Sequence, residues 1–169
     1  MIENLFERVT RFLERVLSLA FVFAVALNFA NVVGRYVLGY SILGADEVQI
    51  YIMVFMAFLG AAVVYWRRAH LRMDVLVQYF PAWLRTALRA AELALIVLLA
   101  GFVLVQSGSY AWQMFELDRK SDNAGIPMWI PHGAVALGFG LIALIALWRA
   151  TRFADESRAA DSSDKKTAA

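Results

Sequence analysis

Apolar residues gather into four long runs separated by short polar stretches. The runs cover about residues 16–38, 48–66, 93–112 and 128–148, each close to the roughly 20 residues a helix needs to cross a bilayer's hydrocarbon. Outside them the pattern changes to helical amphipathicity. Between residues 2 and 15, Ile2, Leu5, Phe6, Val9, Phe12 and Leu13 share one face, and Glu7 and Arg11 pair at i,i+4 opposite. This predicts a helix lying in the membrane interface before the chain turns into the first span. Residues 72–89 read the same way. Val75, Leu76, Tyr79 and Phe80 form an apolar patch, Pro81 opens the next helix, and Trp83, Leu84 and Leu88 mix with Arg85 and Arg89. After residue 153 the chain turns polar and is rich in Ala, Ser, Asp and Lys, which predicts a disordered tail over 154–169. The fold class is therefore all-α: an integral membrane four-helix bundle with amphipathic interfacial helices, its membrane domain spanning 1–153.

Composition strengthens this picture. The chain has 169 residues, is 62% hydrophobic and has a mean hydropathy of +0.62, more apolar side chain than a soluble domain this small can hide. All five tryptophans (Trp66, Trp83, Trp112, Trp129, Trp148) lie at or just beyond the ends of runs, where amphipathic rings prefer the headgroup zone. Charge then orients the spans. Thirteen of the 16 Lys and Arg fall in the N-terminal arm, the second loop and the tail. Only Arg35, Arg119 and Lys120 border the first and third loops. The positive-inside rule puts both termini on the cytoplasmic side. The net charge of +2 is spread over segment ends, so nucleic acid is not an expected partner, whereas anionic membrane lipid is. With zero cysteines, disulfides and thiolate chemistry are excluded. A cleavable leader is the alternative for the first run, because Ala24-Val25-Ala26 follows Arg15 and a short apolar stretch. Against it, the run continues to Val33 and the arm carries Glu3, Glu7 and Glu14.

Three polar constellations stand out. Asn28, Asn31 and Arg35 sit at i, i+3 and i+7 on the first span, one face that lipid would penalise. Interhelical hydrogen bonding, with Arg35 snorkelling outward, is favoured over a polar path. Asp46 and Glu47 open the second span, suited to capping it or to pairing with Arg35. Adjacent residues on a helix diverge by about 100°, so they do not converge as a general acid/base pair. Arg67, Arg68, His70, Arg72 and Asp74 close the second span as a cytoplasmic anchor, with Asp74 and Glu92 as candidate partners of these arginines. His70 has no second ligand at metal or haem spacing, and His132 falls on the other membrane side, so no cofactor and no metal are expected in this chain. Small residues recur four apart at Ala20/Ala24, Ala26/Ala30/Gly34, Ala57/Ala61, Ala134/Gly138 and Ala136/Gly140, permitting close helix approach. No phosphate loop, dinucleotide loop, nucleophile elbow or zinc motif is present, so the chain is not expected to be an enzyme.

From Asn31 to Pro81 the chain resembles the small membrane subunit of tripartite ATP-independent periplasmic (TRAP) transporters, the DctQ-like family. The matching features are Gly34-Arg35-Tyr36, Asp46-Glu47, Phe58-Leu59-Gly60-Ala61-Ala62, then Arg67 or Arg68, His70, Asp74 and Pro81. The start of the fourth span, Gly125-Ile126-Pro127-Met128-Trp129-Ile130-Pro131, is also similar. Many members carry a further proline about where Ala136 stands, a departure bearing on helix shape. The resemblance implies a bacterial inner-membrane subunit, multi-pass, that supports import of an organic acid such as a C4-dicarboxylate. Its partners would be a large permease subunit, which holds the substrate and the sodium ions of symport, and a periplasmic solute-binding protein. On that reading Arg35, Asp46, Glu47, Arg119 and Lys120 form a candidate periplasmic docking patch.

Two other classes compete. A self-sufficient four-helix transporter of the multidrug-exporter type needs a membrane-embedded carboxylate in its first helix, and residues 16–33 contain no acid. A cytochrome subunit needs paired histidines within spans, which His70 and His132 do not supply.

Overall fold

The computed structural model describes residues 2–67 and 80–167, and within them the chain is almost wholly helical. Four helices follow one another: α1 (Ile2–Val37), α2 (Ala45–Arg67), α3 (Ala82–Glu116) and α4 (Trp129–Thr167). All four are long and apolar enough to cross a membrane, so the protein is a multi-pass membrane protein. Helices are the expected answer because lipid offers no hydrogen bonds to backbone groups, which must then satisfy one another within a segment. α1 stops where Leu38 and Tyr40 turn their N–H groups back to the Gly34 carbonyl, at 3.2 and 2.9 Å. α3 begins after Pro81, whose extended backbone (φ −60°, ψ 152°) presents its carbonyl to the N–H groups of Leu84 and Arg85.

The helices pack as a row rather than a ring. α1 lies on α2, α2 on α4, and α4 on α3. Of the two inner helices, α4 is the more buried, with 33% of its apolar window buried against 11% for each of the other three. The buried apolar positions among the described residues are mostly alanine: Ala24, Ala45, Ala62, Ala100, Ala134, Ala143 and Ala146, joined by Val63, Leu93 and Ile145. Inside a membrane, apolar side chains gain little by leaving lipid for protein, so close backbone approach and dispersion carry the packing. Gly138 is the extreme case. A Cβ there would stand 2.6 Å from the Phe58 carbonyl oxygen, so only glycine lets α4 come this near α2. Two residues on, a Cβ at Gly140 would meet Leu104 of α3 at 3.5 Å. The two glycines of α4 thus face its two different neighbours. Ala26, Ala30, Ala57 and Ala61 are exposed and contribute no comparable seam.

Three expectations change. The helix foreseen over residues 2–15 is present, but no turn separates it from the first span. Nothing between Ile2 and Val33 is Gly or Pro, so no position breaks the hydrogen-bond ladder. Its apolar stripe also divides, with Thr10 buried while Leu5 and Phe12 stay exposed. α3 does open at Pro81 as expected, but residues 82–89 are no separate interfacial helix: α3 is a single helix from Ala82, since Arg85, Arg89 and Glu92 mark the end of the apolar run without ending the helix. Finally, α4 runs to Thr167 where a disordered tail was expected. Residues 154–167 contain no Gly or Pro, and their alanines, lysines, arginine and glutamate favour continuation. Of the proposed anchor, Arg68, His70, Arg72 and Asp74 lie outside the described residues, as do Val75, Leu76 and Tyr79 of the second amphipathic stretch.

Candidate functional site

Polar side chains concentrate at the two ends of the row and in one groove. At the end formed by the loops 38–44 and 117–128, Glu47 is the organiser. Its carboxylate accepts hydrogen bonds from the backbone N–H groups of Asn123 (3.1 Å) and Ala124 (2.7 Å) and from the Asn123 side-chain amide (3.2 Å). The second of those loops folds as a small hairpin. Lys120 and Pro127 pair across it, Met128 N–H reaches the Arg119 carbonyl, and Ser121 and Ile126 exchange bonds that close it. Glu47 therefore holds the tip of this hairpin onto the start of α2. Gly44 lets the loops meet: its φ of +81° is left-handed, and a Cβ would fall 2.8 Å from Ala124 Cα. Beside it, Asn31 is buried and donates to Asp46 Oδ1 at 3.4 Å while accepting from the Ile42 N–H at 3.0 Å. Deeper along the same face, Asn28 donates to Gln49 Oε1 at 3.1 Å.

The end that carries both termini is built from rings and arginines. Phe6 stacks on Trp66 at 5.0 Å, and Trp148 closes the group at 5.4 Å from Trp66 and 6.1 Å from Phe6. Trp66 Nε1 donates to Glu7 at 3.2 Å. Arg149 donates from Nη2 to the carbonyls of Tyr65 (2.9 Å) and Trp66 (3.0 Å), in the last described turn of α2. Its guanidinium also lies 4.6 Å from the Tyr65 ring centroid. Arg67 pairs with Glu14 at 2.6 Å and Arg152 with Glu3 at 3.0 Å, tying α1 to α2 and α4. A cleft of about 560 Å³ remains among Glu3, Asn4, Glu7, Trp66, Arg67, Trp148 and Arg149.

The third feature is a groove of about 430 Å³ between α3 and α4, lined by Gln106, Ser107, Ser109, Tyr110, Gln113 and His132. The His132 ring packs edge-on against Tyr110 with centroids 4.6 Å apart. No group of three or more His, Cys, Asp or Glu is placed to hold a metal ion among the described residues.

A family model for the DctQ component of tripartite ATP-independent periplasmic transporters matches residues 24–155. The chain belongs to that family. Among its relatives are the C4-dicarboxylate TRAP transporter small permease protein DctQ of Vibrio cholerae, 27% identical over 84% of this chain and 72% of that one. The ectoine TRAP transporter small permease protein TeaB of Halomonas elongata is 26% identical over 81% of this chain and 71% of its own. The protein is thus a membrane subunit of a TRAP transporter, a transporter component rather than a member of an enzyme class.

In this DctQ-family chain, Arg35, Asp46, Glu47, Arg119 and Lys120 all lie at the loop end, and all but the half-buried Glu47 are exposed. Asp46 and Glu47 turn to Asn31 and to the hairpin instead of to Arg35. Lys120 pairs with Asp118 at 3.5 Å. Arg35 and Arg119 remain exposed, with no ion-pair partner among the described residues. The spacing of Asn28 and Asn31 pointed to a face, and that face meets α2. Sequence reasoning missed Gln49 and Asn123 as partners, and it missed Glu3, Glu7 and Glu14 as ties between helices. It also missed the polar groove, whose signal was the i, i+3, i+4, i+7 spacing of Gln106, Ser109, Tyr110 and Gln113.

Proposed function

We propose that this chain is the fixed companion of a large multispan permease in a bacterial inner membrane, with both termini in the cytoplasm. The permease moves an organic acid inward with sodium ions. This subunit carries neither the cargo nor the sodium. It widens the scaffold and offers its loop end to a periplasmic solute-binding protein that delivers the cargo. The observation that supports this most is family membership over residues 24–155, and the thirteen-to-three division of Lys and Arg supports the orientation. The docking surface is the hairpin held by Glu47, flanked by the exposed Arg35 and Arg119. The two relatives are named for two different cargoes at nearly equal identity, so the cargo is set in the partners.

Reversing charge at Arg35, Arg119 and Lys120 together in the intact complex tests the docking. Uptake should fall while the complex still purifies. Unchanged uptake with the complex intact defeats the docking role. Loss of co-purification with any large permease, for the unmodified chain, defeats the companion role itself.

A further inference from the structure

The row of helices has two free edges, and they differ in polarity. The α1 edge presents Leu19, Phe21, Val22, Phe23 and Phe29, all exposed and all content in lipid. Its one exposed amide there, Asn28, is already bonded to Gln49. The α3 edge presents Gln106, Ser109, Tyr110 and Gln113, one face of the helix and all exposed. Ser109 satisfies its hydroxyl on the Val105 carbonyl at 2.8 Å. The side chains of Gln106, Gln113 and His132 have no hydrogen-bond partner among the described residues.

Depth makes this matter. Trp112 and Trp129 mark the headgroup level, and Gln106 lies six residues before Trp112, about 9 Å deeper along the axis. At that depth acyl chains leave an amide unsatisfied, which membrane segments avoid unless the face meets protein or water. The same face continues away from the loop end through Phe102, Leu99 and Leu95, each more than half exposed. A film of water would suit the upper part of this strip and not the lower. A membrane-crossing helix, polar at matching depth and apolar below, suits both.

We propose that the α3/α4 groove is the seam on which a membrane helix of the large permease docks, presenting hydrogen-bonding side chains to Gln106, Gln113 and His132. This rests on the companion role proposed above, and the experiment separates the two. In bacterial membranes holding the full complex, the photo-reactive residue p-benzoylphenylalanine replaces Gln106, Ser109 or, as control, Leu19. The expected result is an adduct with the large permease from positions 106 and 109 and none from 19. In parallel, Gln106→Leu should lower the large permease recovered with this chain about three-fold, the worth of one membrane hydrogen bond, while leaving the isolated subunit's melting unchanged. Adducts to lipid, adducts to a second copy of this chain, or no adduct, from a complex that still co-purifies, would overturn the seam and leave the companion role standing. If the unmodified chain does not co-purify with a large permease, the companion role fails and the seam with it.

Discussion

The two ends of the helix row are held by opposite means. At the loop end, one carboxylate gathers backbone N–H groups: Glu47 binds the tip of a hairpin that has few side chains to pack. At the end with the termini, guanidinium groups gather backbone carbonyls and rings, with Arg149 on the end of α2 and three aromatic residues between the helices. Each device follows from the helix terminus it serves. Glu47 stands in the first turn of α2, where the helix dipole favours an acid, and Arg149 reaches its last described turn, where the dipole favours a base. The polarity of α2 therefore agrees with the charge at its own two ends, while α1 runs the other way and brings Glu3, Glu7 and Glu14 to the end with the termini.

The most severe way to break this division is to pry apart the layer between the ends. Gly138→Val places a side chain where the Phe58 carbonyl now sits and should cost about 3 kcal/mol, loosening both ends together in an SDS-titration unfolding curve. Next, Arg149→Ala strips two carbonyls and a ring of their cation and should cost about 2 kcal/mol. Its signature is a change in tryptophan emission from Trp66 and Trp148, with the hairpin untouched. Glu47→Ala should do the reverse. Amide exchange at Asn123 and Ala124 should rise on the order of ten-fold while tryptophan emission stays the same. Glu47→Gln, which keeps an acceptor, should raise it less. If either substitution disturbs both ends, the ends are not independent. The smallest effect belongs to Asn28 and Gln49, whose double-mutant cycle should give a coupling of about 0.6 kcal/mol.

The spans were legible because crossing a bilayer demands a run of apolar residues, and no other requirement produces four of them. Their ends were not, because hydropathy marks where lipid stops and not where the helix does. Arg85, Arg89 and Glu92 leave the apolar run yet remain good helix formers, so α3 starts well before Leu93. The turn expected after residue 15 failed for the same reason. The polar face of Asn28 and Asn31 could be read from spacing, but its partners lie 21 and 15 residues away and depend on which helices are neighbours. Glu47 was placed at the right end and given an outward role. The hairpin it holds comes from a loop 77 residues later, a closure that local pattern does not encode. The glutamines of α3 escaped because two neutral amides scarcely lower the hydropathy of so apolar a run.

One dimension carries a consequence of its own. α1 has 36 residues without a break, about 54 Å of rod against a hydrocarbon layer of about 30 Å. Glu3, Phe6, Glu7 and Glu14 bolt one end of this rod to α2 and α4, and Asn31 fixes it again near the other. A rod clamped at two points cannot pivot by itself. When bilayer thickness changes, α1 takes its neighbours along, and the subunit leans as a single plate. Membrane thickness thereby becomes an angle, one that anything fastened to the plate's far edge would inherit.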